Sequence, residues 1–223
     1  MATQRSLKVF AGIALGLMIF LSLGIAMHGY GFQLRISGSP TFHERFDHYP
    51  VTSTMHVLGG ATVLLLGGFQ FWGGLRRSFP ALHRNMGRVY LVFVLVGGIG
   101  GLLIAPKSDG GVSAHVGFGL LAVIWLFSGL QAYLAIRRGD VATHRAWMIR
   151  NFSLTFGAVT LRVYLGAMTA FGIPFEEAYP TVAWVSWVPN LILVEWYLAL
   201  FTASRRPARS GSVEPSHAHG ATA

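Results

Sequence analysis

Long apolar runs, separated by arginine-rich or by glycine- and proline-bearing stretches, set the rhythm of this chain. Six runs stand out, at 9–28, 51–74, 89–105, 112–136, 152–172 and 182–203. A helix needs roughly 20 mostly apolar residues to cross a bilayer, and each run approaches that length. The expected fold is therefore all-α: a polytopic membrane protein with six transmembrane helices, forming a single domain over 1–204. The segment 29–50 between the first two runs carries Gly, Pro and mixed charge, and has room for a short interfacial helix near 41–48. The tail 205–223 is Arg, Pro, Ser, Gly and His, a composition that cannot build a packed core, so disorder is expected there and His217 and His219 read as solvated. The first run follows Arg5 and Lys8. It is too long for a signal-peptide core and lacks a clear small-x-small cleavage site, which makes it a retained signal anchor.

Composition agrees. Charged residues make up only 11% of the chain and mean hydropathy is +0.54, too apolar for an ordinary soluble domain. The net charge of +9 would suit nucleic acid, but its distribution does not. Arg5 and Lys8 precede the first run. Arg76, Arg77, Arg84 and Arg88 lie between the second and third, Arg137, Arg138, Arg145 and Arg150 between the fourth and fifth, and Arg205, Arg206 and Arg209 follow the sixth. Only Arg35, Arg45 and Lys107 fall on the other side, with Arg162 inside a run. By the positive-inside rule both termini are expected in the cytoplasm, in a cell's inner (plasma) membrane, with the lipid bilayer as partner and no nucleic acid. The chain has no cysteine, which excludes disulfides, thiolate metal sites, iron–sulfur clusters and covalently attached haem.

The chain also repeats itself. GFQFWGGLRRSFPALHR (68–84) lies over GLQAYLAIRRGDVATHR (129–145) without gaps, identical at the Gly, the Gln, the Arg pair, an Ala, the His and the final Arg. His56-Val57 matches His115-Val116, and Met86 and Arg88 match Met148 and Arg150, with small gaps. Units of about 51–105 and 112–172 are thus expected to be parallel helix–loop–helix repeats, together forming a four-helix bundle around a pseudo-two-fold axis along the membrane normal.

The repeat makes two histidine pairs. His56 precedes Arg76 by 20 residues, about 30 Å at the 1.5 Å rise of a helix, so His56 and His115 share a level near the outer face. His83 and His144 share a level near the inner face, just inside helices expected to start at Ser78-Pro80 and at Asp140. Imidazoles facing each other across a bundle are what a six-coordinate haem iron needs. Gly59 and Gly60, Gly119, and the run Gly97–Gly101 would leave room for a porphyrin. Taken singly, a histidine here is a hydrogen-bonded structural group, and His83 and His144 can equally help Arg84 and Arg145 hold lipid phosphates. The symmetric set, at a depth where ionisable groups are costly, favours ligation.

This arrangement resembles the ascorbate-dependent six-helix di-haem b cytochromes of eukaryotic membranes, over 51–172 in architecture. The resemblance implies that His56 and His115 hold one non-covalent haem b and His83 and His144 another. Separately, HRAWMIR at 144–150 with Leu161-Arg162 is similar to an uncharacterised bacterial family of predicted integral membrane proteins, which implies a membrane location and no activity.

Remaining polar residues are read alongside. Arg162 lies five turns beyond His144, near the outer histidine level, where it can face a haem propionate or an anionic or quinol substrate. An ion pair with Glu195 in the next run is the favoured alternative, because an unpaired charge there is expensive. Gln70 and Gln131 are expected to bond between helices. Tyr30, Tyr179, Trp184 and Trp187 read as an interfacial aromatic belt. His43, Glu44, Asp47 and His48 read as solvated loop rather than a transition-metal site. The leading function is a b-type haem protein carrying electrons across or within the membrane, as in a transmembrane oxidoreductase with a quinol or small redox partner, in which Arg162, Arg84 and Arg145 meet propionates. The alternative is a cofactor-free membrane protein, either a small-solute carrier or a scaffold.

Overall fold

The structure is a computed structural model that describes residues 2–203, and every regular element in it is helical. In chain order the helices are α1 (Ala2–Gln33), α2 (Pro40–Asp47), α3 (Pro50–Gln70), α4 (Gly73–Ser78), α5 (Pro80–Ile104), α6 (Gly111–Arg137), α7 (Val141–Thr155), α8 (Gly157–Ala170), α9 (Phe175–Val185) and α10 (Val188–Ala203). The interfacial helix expected near 41–48 is α2. The expected disordered tail, with His217 and His219, lies outside the described residues.

Five segments are long and apolar enough to cross a bilayer: Val9–Gln33, Pro50–Gln70, Pro80–Lys107, Gly111–Arg137 and Phe175–Leu200. The expected sixth, at 152–172, is divided instead. Phe156 ends α7 and begins α8, and the stretch carries Arg162 with several Ser and Thr. Gly157, directly after Phe156, permits the break, and contacts with another helix fix it. A second break, at Ser186-Trp187 between α9 and α10, packs against it. The Thr160 hydroxyl donates to the Ser186 carbonyl. Asn190 Nδ2 donates to the carbonyls of Ser186 (2.9 Å) and Ser153 (3.3 Å) and to Thr160 Oγ1 (3.1 Å). Each break thus leaves backbone groups that the other helix satisfies, as an apolar solvent requires.

Helix starts follow local chemistry. Pro40, Pro50 and Pro80 each occupy the first helical turn, where the missing N–H is not needed. The expected Ser78 cap is not used: Ser78 ends α4, and Phe79 precedes Pro80 with no side-chain cap. Asp140 caps α7 as expected, accepting from the Thr143 N–H at 2.9 Å. The turn before it depends on Gly139 at φ 76°, which lets the Asp140 N–H reach the Ala135 carbonyl (3.0 Å) and close α6. The Thr143 N–H holds the Asp140 carboxyl below its ordinary value. Its capping contribution is therefore complete above the ordinary carboxylate range and lost as pH falls through the depressed pKa. Asp140→Asn keeps a cap without the charge, so wild-type melting should fall towards acid relative to this variant, as parallel thermal scans would record.

Packing places α3 against α5 and α1, α5 against α6, and α6 against α7, with α7 returning to α3. The helices bearing His56 and His115 are thus diagonal in this ring. The α3–α5 contact is backbone on backbone. A Cβ on Gly59 would stand 2.5 Å from Gly97 Cα, and one on Gly100 would stand 2.7 Å from the Thr52 carbonyl oxygen. The core gathers Val63, Tyr90, Val94, Trp125, Phe152, Leu154 and Trp187. Within it lies a closed polar cluster. The Tyr90 hydroxyl donates to Asn151 Oδ1 (2.8 Å), Asn151 Nδ2 donates to the Trp125 carbonyl and Ser128 Oγ (2.8 Å each), and Trp125 Nε1 donates to Thr155 Oγ1 (2.9 Å).

Candidate functional site

A cavity of about 450 Å³ opens in the half of the molecule remote from the arginine pairs, within the 300–1,000 Å³ of small-molecule sites. α1 contributes Ile25, His28 and Phe32, α3 contributes His56, Val57 and Gly60, and α5 contributes Gly97 and Gly101. α6 adds Phe118, Leu121, Ala122 and Trp125, and α8 adds Ala158, Leu161, Arg162 and Leu165. Phe42, Arg45 and Phe46 of α2 cover it. The walls are mainly apolar. Trp125 and Thr155, at the edge of the core cluster, form part of the lining.

The glycines divide their work. Gly60 faces open space: a Cβ there would meet nothing within 4 Å, and the same holds for Gly119. Gly59, Gly97 and Gly100 are consumed in α3–α5 backbone packing, and Gly98 packs against Leu126 of α6. Gly101 is the exception, because a Cβ on it would strike the His56 ring at Nδ1, 2.8 Å away. Glycine there makes the space in which the imidazole sits.

His56 Nδ1 meets the Gly97 carbonyl at 3.2 Å. A carbonyl only accepts, so Nδ1 carries the proton and Nε2 is left with its lone pair. His115 lies one turn beyond Phe118 on α6, outside the cavity lining, with Nε2 donating to the Ser108 carbonyl at 2.8 Å. The expected outer pair is therefore on diagonal helices at one end of the molecule, with only His56 in the cavity wall. At the arginine-rich end His83 and His144 are neighbours, close enough to interact electrostatically, with Arg76 and Arg84 nearby. His144 Nδ1 donates to the Ala132 carbonyl at 2.8 Å. His83 Nδ1 is buried with no hydrogen-bond partner. Arg84 and Arg145 are exposed in the first turns of α5 and α7. Among the described residues no group of three or more His, Asp or Glu side chains could hold a metal ion.

Arg162 differs most from expectation. Glu195 is taken by Arg150, whose Nε and Nη2 reach its two carboxylate oxygens at 2.5 and 2.9 Å. The reason is geometric. α10 packs on α7, which carries Arg150, whereas α8, which carries Arg162, packs on α9. The Trp147 ring supports Arg150, 4.8 Å from the guanidinium carbon. Arg162 donates only to its own helix, at the Ala158 carbonyl (2.8 Å). The ion pairs among the described residues are Arg35–Asp47, Arg45–Asp109 and Arg150–Glu195, so none provides it with a carboxylate. It lies deep among protein atoms and yet is exposed, because it faces the void.

Other expectations are corrected by packing. Gln70 Nε2 is buried without a partner, so the expected interhelical amide bond is absent at Gln70. Trp187 is a core residue donating to the Ala183 carbonyl, Tyr179 lines the cavity and Tyr30 bonds Thr62, so these do not form a lipid-facing belt. In α2, His43 stacks on Phe32 at 4.2 Å, and its Nε2 donates to the Ser37 carbonyl at 2.9 Å. Asp47 pairs with Arg35. Sequence reasoning missed Asn151 and the Arg45–Asp109 pair that ties α2 down. Asn151 carried a usable signal, since an amide inside an apolar helix must find partners.

These features define an all-helical integral membrane protein with a ligand-sized cavity set among its helices. The family described as "Predicted membrane protein (DUF2306)" matches residues 53–198, and the chain belongs to it. No curated protein matches, and no solved structure does.

Proposed function

We propose that the cavity binds an amphipathic anion, an apolar molecule with an acidic edge or head, and that this binding is the protein's function. The observation that carries the reading is Arg162: a guanidinium in the wall of a mainly apolar void, with no carboxylate partner among the described residues. A charge in that setting is costly unless a counter-charge arrives. The molecule is oriented with the arginine-rich end and both termini in the cytoplasm of a plasma membrane, and segment 141–170 makes a sixth crossing that completes two parallel repeats. The test is displacement of a fluorescent fatty acid such as cis-parinaric acid from detergent-purified protein. Arg162→Gln should weaken binding roughly tenfold or more, the scale of one charge-assisted hydrogen bond. Equal affinity in wild type and variant would sink the reading.

A second reading is favoured by a different observation. Metal-bound histidines usually donate their other ring N–H to a carbonyl or carboxylate. His56 does so to Gly97, beside the open space at Gly60, and His144 does so to Ala132. Haem b is itself an amphipathic anion. It would take His56 as one axial ligand and Arg162 at a propionate, with His115 supplying the second nitrogen only after leaving Ser108. His83 and His144 would hold an inner haem, with Arg84 and Arg145 near its propionates. Bound haem would supply one-electron transfer, to a quinol or small redox partner. Oxidised and dithionite-reduced absorption spectra with haem content per chain test this. Reduced b-type bands that disappear in His56→Ala support it, and a flat visible spectrum from folded protein made with ample haem rejects it.

A further inference from the structure

We infer that the anion of this site is a membrane-borne amphiphile, an acid on an apolar chain, which enters sideways from the bilayer leaflet at the far end through a gap between α1 and α8. The inference rests on the proposed ligand cavity and adds the source of the ligand and its route.

The face opposite the arginine-rich end is held by ion pairs and ring contacts. α2 lies over the cavity with Phe42, Arg45 and Phe46 in its roof. Arg45 is tied to Asp109 and Arg35 to Asp47. Phe42 packs edge-on against Phe175 at 6.2 Å, and Lys107 sits over the Tyr49 ring at 5.6 Å. Salt bridges and ring contacts bind this roof to the α5–α6 connection and to α9.

The flank is different. α1 packs along α3, and α8 packs on α9, but α1 and α8 touch each other only sparsely. Both nevertheless line the same cavity, through His28 on one side and Arg162 on the other. The two are close enough to interact electrostatically. Both side chains are exposed, and both line the cavity. One turn from each, on the same helix face, is a glycine: Gly24 on α1 and Gly166 on α8. A Cβ on either would meet nothing within 4 Å. On the inferred route the cavity opens to the lipid-facing surface between these helices, with His28 at its rim and Arg162 at its end. An acid whose chain stays in the bilayer can slide its head past His28 to Arg162 without crossing the roof.

The test is stopped-flow transfer of cis-parinaric acid from donor vesicles to protein in lipid nanodiscs. Gly24→Trp and Gly166→Trp place bulk in the gap without touching the cavity wall, and Gly24→Leu and Gly166→Leu are milder versions should tryptophan disturb folding. Gap variants should slow both uptake and release at least tenfold while leaving the equilibrium affinity within twofold. Asp47→Ala, which frees α2 from Arg35 without altering the cavity lining, should leave the rates unchanged. Unaltered rates in the gap variants, or faster exchange in Asp47→Ala, would overturn the lateral route in favour of entry from water. No equilibrium binding by wild type would instead overturn the cavity reading itself, so the two failures are distinct.

Discussion

Gly59→Leu is expected to yield no folded, monodisperse protein, whereas Gly60→Leu, one residue further on, yields folded protein that has lost its ligand site. At position 59 the added Cβ alone would stand 2.5 Å from Gly97 Cα and 2.7 Å from its nitrogen. The obstruction is backbone, so no rotamer change relieves it, and α3 and α5 must separate. Overpacking where side chains can yield costs about 1–3 kcal/mol; here the cost exceeds about 3 kcal/mol, because the neighbouring fit of Gly100 against α3 is lost as well. At position 60 the same side chain enters the cavity, where a Cβ meets nothing within 4 Å. Size-exclusion profiles in detergent, thermal midpoints and parinaric acid binding separate the two outcomes. A Gly59→Leu protein with a wild-type profile and midpoint would refute the backbone contact.

Asn151→Ala is expected to destabilise the fold by about 2–4 kcal/mol. Interhelical hydrogen bonds in membrane proteins average about 0.6 kcal/mol and reach about 1.7. Asn151, fully buried, makes three with side-chain atoms: to the Trp125 carbonyl, to Ser128 and from Tyr90. The truncation also leaves a small void in a close-packed core. Unfolding in mixed micelles would measure it, and a loss below about 0.5 kcal/mol would show that the cluster contributes little. Because Trp125 and Thr155 belong both to this cluster and to the cavity wall, the variant should also broaden ligand binding rather than abolish it.

Much of this architecture was legible in the sequence, for physical reasons that can be named. Apolar run length located five of the spans, since bilayer thickness fixes that length. The expected Asp140 cap and the short helix after Ser39 rest on local chemistry, and both are present. The repeat placed His83 beside His144, because equivalent positions in two units fall at equal depth. The break at Phe156 was not legible. Its local signal, the lone Gly157, is weak, and the break exists because Thr160 and Asn190 find acceptors on another helix. The Arg162–Glu195 pairing failed for a related reason. Adjacency in sequence does not say which of two successive helices, α7 or α8, the last helix will lie against. The role of glycine was only half legible: the pattern Gly59-Gly60 announces close approach or open space, but not which residue does which.

The paired breaks in α7–α8 and α9–α10 also make one segment depend on another. Segment 141–170 carries Arg145, Arg150 and Arg162 and a run of hydroxyls, and its interrupted backbone is completed from residues 186–190. On leaving the ribosome it is the segment least able to hold a place in lipid unaided. α10 brings Asn190 to its open carbonyl and Glu195 to Arg150. That helix is thus a keystone, holding the divided segment in place.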